Sequence, residues 1–256
     1  MILMIITFFV KLYQTKFMQK KGEDVNMKQT DMESIRNLAI AFLYTDIHAT
    51  KISFVASHPF INTWETYIPH KGLVDLREEK NVRVWRETVE KLLKKQDLVG
   101  IFFMMQPPYI LNFLKFAERY MSDEDLGLIL ASFWSSIEQI SLDNSVNGKT
   151  LVGWFKRADN EKLMSEKEIE KYDTLPEKIM VYRGVTEYND KNKKALSWSL
   201  DKEVAIWFAK RFQTGKGKVW SVEVPKERIL CVSDEKEKEV IVNLYGFDGK
   251  YQVEKV

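Results

Sequence analysis

The sequence predicts an α+β fold: an N-terminal mixed α/β segment, then helices packed on a mostly antiparallel β core. Three observations predict it. Apolar residues recur at helical spacing through 109–173. After Pro176 the chain changes to short β-branched and aromatic runs, punctuated by Gly215, Gly217 and Pro225. One amphipathic helix interrupts those runs. Helices and strands in successive blocks, rather than strict alternation, mark α+β.

Each element has its own grounds. Residues 1–27 begin with an apolar run of 10 residues, MILMIITFFV, too short to span a bilayer. With no charged region before the run and no small-residue cleavage site after it, it reads as a mobile leader or a mis-assigned start, Met18, Met27 and Met32 being the alternatives. Residues 28–108 form a segment of their own. NLAIAFLYTD (37–46) fits helix or strand; KISFVASHPFINTWETYI (51–68) reads as a small sheet broken at Pro59. VRVWRETVEKLLKKQ (82–96) reads as a helix with a basic C-terminal end, favourable to the helix dipole. Beyond Pro107-Pro108, YILNFLKFAERYM has helical period, and the tryptophan and methionine stripes at 104–134 read as core. Ser122 opens SDEDLGLILASFWSSIEQI with Asp125 three residues on; TLVGWFKRAD is a short amphipathic piece; Ser165 with Glu168 repeats the cap pattern. Strands follow at 179–185, 218–224, 228–232 and 239–246. The helix between them is capped by Ser199 or Asp201, with Val204, Ala205, Trp207, Phe208 and Phe212 as its apolar face.

Composition narrows the function classes. Hydrophobic residues at 45% allow a real core, and 39 basic against 37 acidic residues carry no nucleic-acid signature. The single cysteine, Cys231, excludes an internal disulfide and fits a reducing compartment. Three histidines and one cysteine make a multi-ligand zinc site improbable, so no metal is expected.

The run DEKEKEVIVN (234–243) raises a sharper question. In a strand, Glu235, Glu237 and Glu239 would share one face. Alone, the run reads as solvated charge entering a core strand. Arg183 in VYRGV reads as an ion-paired strand residue, Ser197 in ALSWSLD as a strand-end serine, Ser199 as a helix cap, and QTGKGK as a hairpin turn. Taken in order, Arg183, then Ser197-x-Ser199, then Glu237-x-Glu239, the set resembles the R-S-E class of mono-ADP-ribosyltransferases. The surrounding wording is similar too: YRG, then LSxSLD and a helix with AxxFA, then ExEVIV. The likeness covers 109–256, is nearest in style to the family's small bacteriophage- and prophage-encoded members, and departs from it in placing Trp198 between the serines, where a small residue is commoner.

The resemblance implies a catalytic domain at 109–256 that uses NAD as substrate, without a metal, in a bacterial or phage-infected host cytoplasm. It implies that Glu239 stabilises the oxocarbenium-like ribose, Arg183 forks onto the phosphates, and Gly184 leaves room for the nicotinamide amide. Ser197 would fix the Glu239 rotamer, Ser199 would line the cofactor cleft, and Glu237 would orient an acceptor arginine on a macromolecule, expected to be a protein. Guanidinium suits phosphate because its planar fork binds bidentately. A carboxylate suits a sugar on which positive charge develops. An NAD glycohydrolase with water as acceptor, and an inactive fold acting as a protein-binding module, remain the other readings.

Overall fold

A run of apolar residues at i, i+3, i+4, i+7 and i+8 opens the first helix. The computed structural model describes residues 29–137, 146–187, 189–190, 192–211, 217–233 and 237–256. In α1 (Met32–Leu43) that run is Ile35, Leu38, Ala39, Phe42 and Leu43, all buried, and the Asp31 side chain caps the helix by accepting from Ser34 N–H at 3.0 Å. The helical alternative for 37–46 is therefore the one adopted. Strands β1 (His48–Ala49), β2 (Val55–His58) and β3 (Ile61–Thr63) form a small antiparallel sheet that turns at Pro59-Phe60. Strands β4 (Glu65–Ile68) and β5 (Gly72–Asp75) form a hairpin, and Gly72 takes φ +80 at its turn.

Helices fill the middle of the chain. They are α2 (Glu79–Lys94), α3 (Leu98–Phe103), α4 (Pro107–Ala117), α5 (Asp123–Phe133), α6 (Gly148–Arg157), α7 (Asn160–Leu163) and α8 (Glu166–Asp173). Pro107 and Pro108 start α4, where the missing N–H groups would have had no helical partner. Ser122 caps α5 by accepting from Asp125 N–H, but Asp125 does not return the bond. Instead Thr30 enters the cap, its hydroxyl donating to the Asp125 carboxylate and accepting from Ser122 N–H at 2.9 Å. The expected box at Ser165 and Glu168 is present in full. Helix α5 stops at Phe133 and a 3-10 turn, Trp134–Ser136, follows.

The last third is the main sheet: β6 (Lys178–Val185), β7 (Ser197–Ser199), helix α9 (Lys202–Lys210), β8 (Lys218–Pro225), β9 (Ile229–Ser233), β10 (Glu239–Val242) and β11 (Gln252–Lys255). Six strands lie in the order β11-β8-β6-β7-β10-β9, each pairing antiparallel. The fold is thus α+β. One face of the sheet carries Ile179, Val181, Trp198, Trp220, Val222, Val240 and Val242 in a cluster of their own. The opposite face is shared. Cys231 and Ile241 pack under the helical layer, while Ala205 and Ala209 of α9 lie on Val219 of β8 with Tyr182 beside them. Trp207, expected on the apolar face of α9, is instead 62% exposed. Ala205 and Ala209 are the residues that face the sheet, where Gly184 and Gly217 bring strand backbone close to the helix. Phe212, from the same expectation, lies outside the described residues.

The core beneath the helices does not stop at 108. Phe42 and Phe60 both meet the Phe113 ring edge-on, with centroids 5.6 and 5.5 Å away. The boundary drawn from sequence between 108 and 109 therefore passes through shared packing. Gln106 adds a polar tie, its N–H donating to Phe60 C=O at 2.8 Å and its side-chain oxygen accepting from Thr63 N–H at 3.0 Å. Among the described residues, no helix is long and apolar enough to cross a membrane.

His58, in the N-terminal segment, is a core residue. Its Nδ1 accepts from Phe60 N–H at 3.0 Å, and its ring lies edge-on to Trp85. Burial pushes its pKa from 6.5 to about 4; the carbonyls of Leu43 and Thr45 draw it the other way, and the Arg86 charge assists burial. The unfolded chain therefore binds this proton more readily than the folded one. Stability is fully present above pH 6.5 and declines as pH falls toward 4, by up to about 3 kcal/mol at 1.36 kcal/mol per unit. Urea unfolding of the parent and of His58→Asn, which keeps an acceptor near Phe60 N–H but has no titrating ring, should give a difference that shrinks between pH 7 and pH 4.5.

Candidate active site

Strand order brings three distant segments together. Strand β7 lies between β6 and β10, with Tyr182 opposite Ser199, Ser199 opposite Glu239, and Ser197 opposite Ile241. Residues paired across antiparallel strands project to the same face. Ser197, Ser199 and Glu239 thus lie on the shared face, between the part covered by α9 and the part covered by the helical layer.

Glu239 opens β10 and is only 8% exposed. Its Oε1 accepts from Trp134 Nε1–H at 3.2 Å, and the Ser197 hydroxyl hydrogen-bonds the same carboxylate. Burial pushes its pKa up; the bonds from Ser197 and Trp134 pull it down, the Glu237 charge adds to the rise, and the Arg183 charge opposes it. The net shift is upward. A buried carboxylate held by two directed donors has a fixed rotamer and a concentrated charge.

Arg183 reaches across from β6. Its Nη1–H donates to the Ser197 carbonyl, and its buried Nε has no hydrogen-bond partner among the described residues. Burial lowers its pKa to about 10 against the pull of Glu239, so it remains charged at neutral pH. The guanidinium therefore braces the strand that carries Ser197 while facing Glu239 electrostatically.

Ser199 is committed to backbone. Its hydroxyl donates to Glu237 C=O at 2.8 Å and accepts from Asp201 N–H at 3.0 Å. The cap of α9 itself is Asp201, which accepts from Glu203 N–H. Ser199 thus fastens the turn before β10 instead of lining a cleft through its donor. Two further bonds secure that turn: Leu200 N–H to Lys238 C=O at 2.9 Å and the Lys238 ammonium to Asp201 at 2.6 Å.

The two glutamates do not share a strand face. Lys238 takes φ +46, a left-handed conformation that disfavours a side-chain-bearing residue by roughly 1–2 kcal/mol, and the strand begins only at Glu239. Glu237 consequently sits exposed in the turn, near enough for its charge to act on Glu239. Glu235 lies outside the described residues.

Gly184 is accounted for by packing. A Cβ there would fall 1.9 Å from the Ala205 carbonyl oxygen and 2.7 Å from Ala209 N, so the room left by the missing side chain is filled by α9. Gly217 faces the same helix, where a Cβ would fall 2.4 Å from Ala209 O; Gly215 lies outside the described residues. Cys231, paired opposite Ile241, is buried and its thiol is pushed well up by desolvation, which disfavours the thiolate. Among the described residues, no group of three or more His, Cys, Asp or Glu side chains could hold a metal ion.

Trp134 is the site residue that sequence reasoning assigned to core alone. It is buried and packs edge-on against Phe155, but its indole N–H points at Glu239. The available hint was chemical: a buried tryptophan needs an acceptor for its N–H. No family model, curated protein or solved structure matches this chain.

A stability consequence follows from the raised pKa of Glu239. The folded state disfavours the ionised form, so stability is greatest below the carboxyl's unfolded value and falls as pH rises through its folded one. Glu239→Gln should therefore melt higher than the parent at pH 8, with the gap closing as pH is lowered through the carboxylate range.

Proposed function

We propose that this chain is a mono-ADP-ribosyltransferase, moving ADP-ribose from NAD to an arginine side chain of a macromolecule and releasing nicotinamide. One observation carries the reading. Arg183, Ser197 and Glu239, far apart in sequence, occupy three adjacent strands and converge on one desolvated carboxylate. The order Arg, Ser-x-Ser, Glu-x-Glu is that of the R-S-E class.

In this reading Glu239 stabilises the positive charge that develops on the ribose as the nicotinamide leaves, a role favoured by low local dielectric. Ser197 keeps the carboxylate in place. Arg183, whose buried Nε has no partner among the described residues, offers N–H groups to a phosphate oxygen. Glu237, exposed in the turn, meets the acceptor and takes the proton lost as its guanidino nitrogen bonds to the ribose. The second reading is hydrolysis of NAD with water as acceptor, for which Glu239 alone suffices.

Incubation with NAD labelled in its adenylate half separates these readings. Glu239→Gln should lower nicotinamide release by about 10²–10³-fold while NAD still binds. Glu237→Ala should abolish label transfer to protein or to a free guanidino compound, with slow release of ADP-ribose persisting. Parental nicotinamide release by Glu239→Gln would refute the assigned site. Transfer by Glu237→Ala at the parental rate would remove the arginine acceptor from the proposal, and NAD left intact by the parent would favour a binding module.

A further inference from the structure

Trp134 and Ser197 both hydrogen-bond the Glu239 carboxylate, one from the helical layer and one from the sheet. The ring is held by two helices' worth of packing: it stands in the 3-10 turn that ends α5, and its face or edge meets Phe155 of α6 with centroids 4.8 Å apart at 87°. Its Nε1 lies 3.2 Å from Glu239 Oε1. Such pairing is not automatic in this chain, since the still more deeply buried Trp85 has no partner for its Nε1 among the described residues. We propose that Trp134 is a positioning residue for Glu239, fixing from the helical layer which carboxylate oxygen faces the ribose; the inference rests on the transferase reading.

The physical case is one of directed donors in a desolvated place. Ser197 approaches along the sheet from β7, and Trp134 approaches from the helices above it. Together they restrict rotation of the carboxylate about its last bond, which packing alone leaves soft. The indole is rigid and has a donor but no acceptor, so it favours the anion and offers nothing to a protonated carboxyl O–H. Three other ionisable groups face the same carboxylate: Arg183 from β6, Glu237 from the turn and Cys231 from β9. Phenylalanine at 134 would keep much of the contact with Phe155 and remove only the donor.

The test has one arm that needs no catalysis. With 15N-labelled tryptophan, the chain's 7 tryptophans each contribute an indole resonance, and Trp134→Phe identifies the one belonging to Trp134. That resonance should move with pH as Glu239 titrates and should cease to move in Glu239→Gln. Should Trp134→Phe fail to fold, the resonance is identified instead as the one whose titration Glu239→Gln abolishes. A Trp134 resonance indifferent to pH, or titrating equally in Glu239→Gln, overturns the contact. In NAD cleavage, Trp134→Phe should lower kcat roughly ten- to hundredfold, as loss of an orienting partner does, with KM for NAD little changed. Its acid limb should move to higher pH, because one donor to the anion is gone. Parental kcat with an unmoved acid limb overturns the positioning role. A parent that leaves NAD intact overturns the transferase reading instead, and the resonance then decides the contact by itself.

Discussion

Keeping a carboxylate inside a protein is the constraint on which the arrangement around Glu239 depends. Desolvation and the nearby Glu237 charge oppose its ionisation, and three neighbours answer that opposition. Ser197 and Trp134 supply hydrogen bonds, Arg183 supplies a counter-charge, and the strand order supplies the proximity that lets them act together. Removing one partner from such a network leaves the others holding an uncompensated group. The neighbours are themselves braced: Arg183 against the Ser197 carbonyl, and the 237–239 turn against Ser199, Leu200 and Asp201.

That bracing explains how a left-handed lysine is tolerated at 238. A backbone conformation that disfavours a Cβ persists where its surroundings over-determine it. Here the Glu237 and Lys238 carbonyls both accept bonds from the Ser199–Leu200 stretch, and the Lys238 ammonium closes on Asp201. The serine pair and the glutamate pair are thus one mechanical unit. Ser197 acts on the Glu239 side chain and Ser199 acts on the backbone that presents it.

Local pattern made much of the fold legible. The helical spacing of 82–96, the Ser165–Glu168 box and the β-branched runs after 176 each specify an element through their own residues. The sheet order was not legible, because register depends on pairings between segments separated by tens of residues. The left-handed turn at Lys238 was hidden for a related reason: glutamates alternating with lysines look like strand, and only the contacts to Ser199 and Asp201 bend them out of it. The role of Gly184 was misread because its neighbour is a helix arriving from residue 205 rather than a ligand. Trp134 read as core, correctly as far as burial goes; the direction of one N–H is a tertiary fact.

The aromatic contact of Phe42 and Phe60 with Phe113 bears on how this molecule can be divided. Cutting the chain near 108 would strip one side of α4 and present bare rings to water. A shortened piece beginning at Tyr109 would therefore be prone to self-association, whatever the state of its strands. The helices that carry Trp134 also rest on this packing, so residues 29–105 act as a foundation for the candidate site without contributing a side chain to it. Cooperativity, rather than modular assembly, is what such a layout produces.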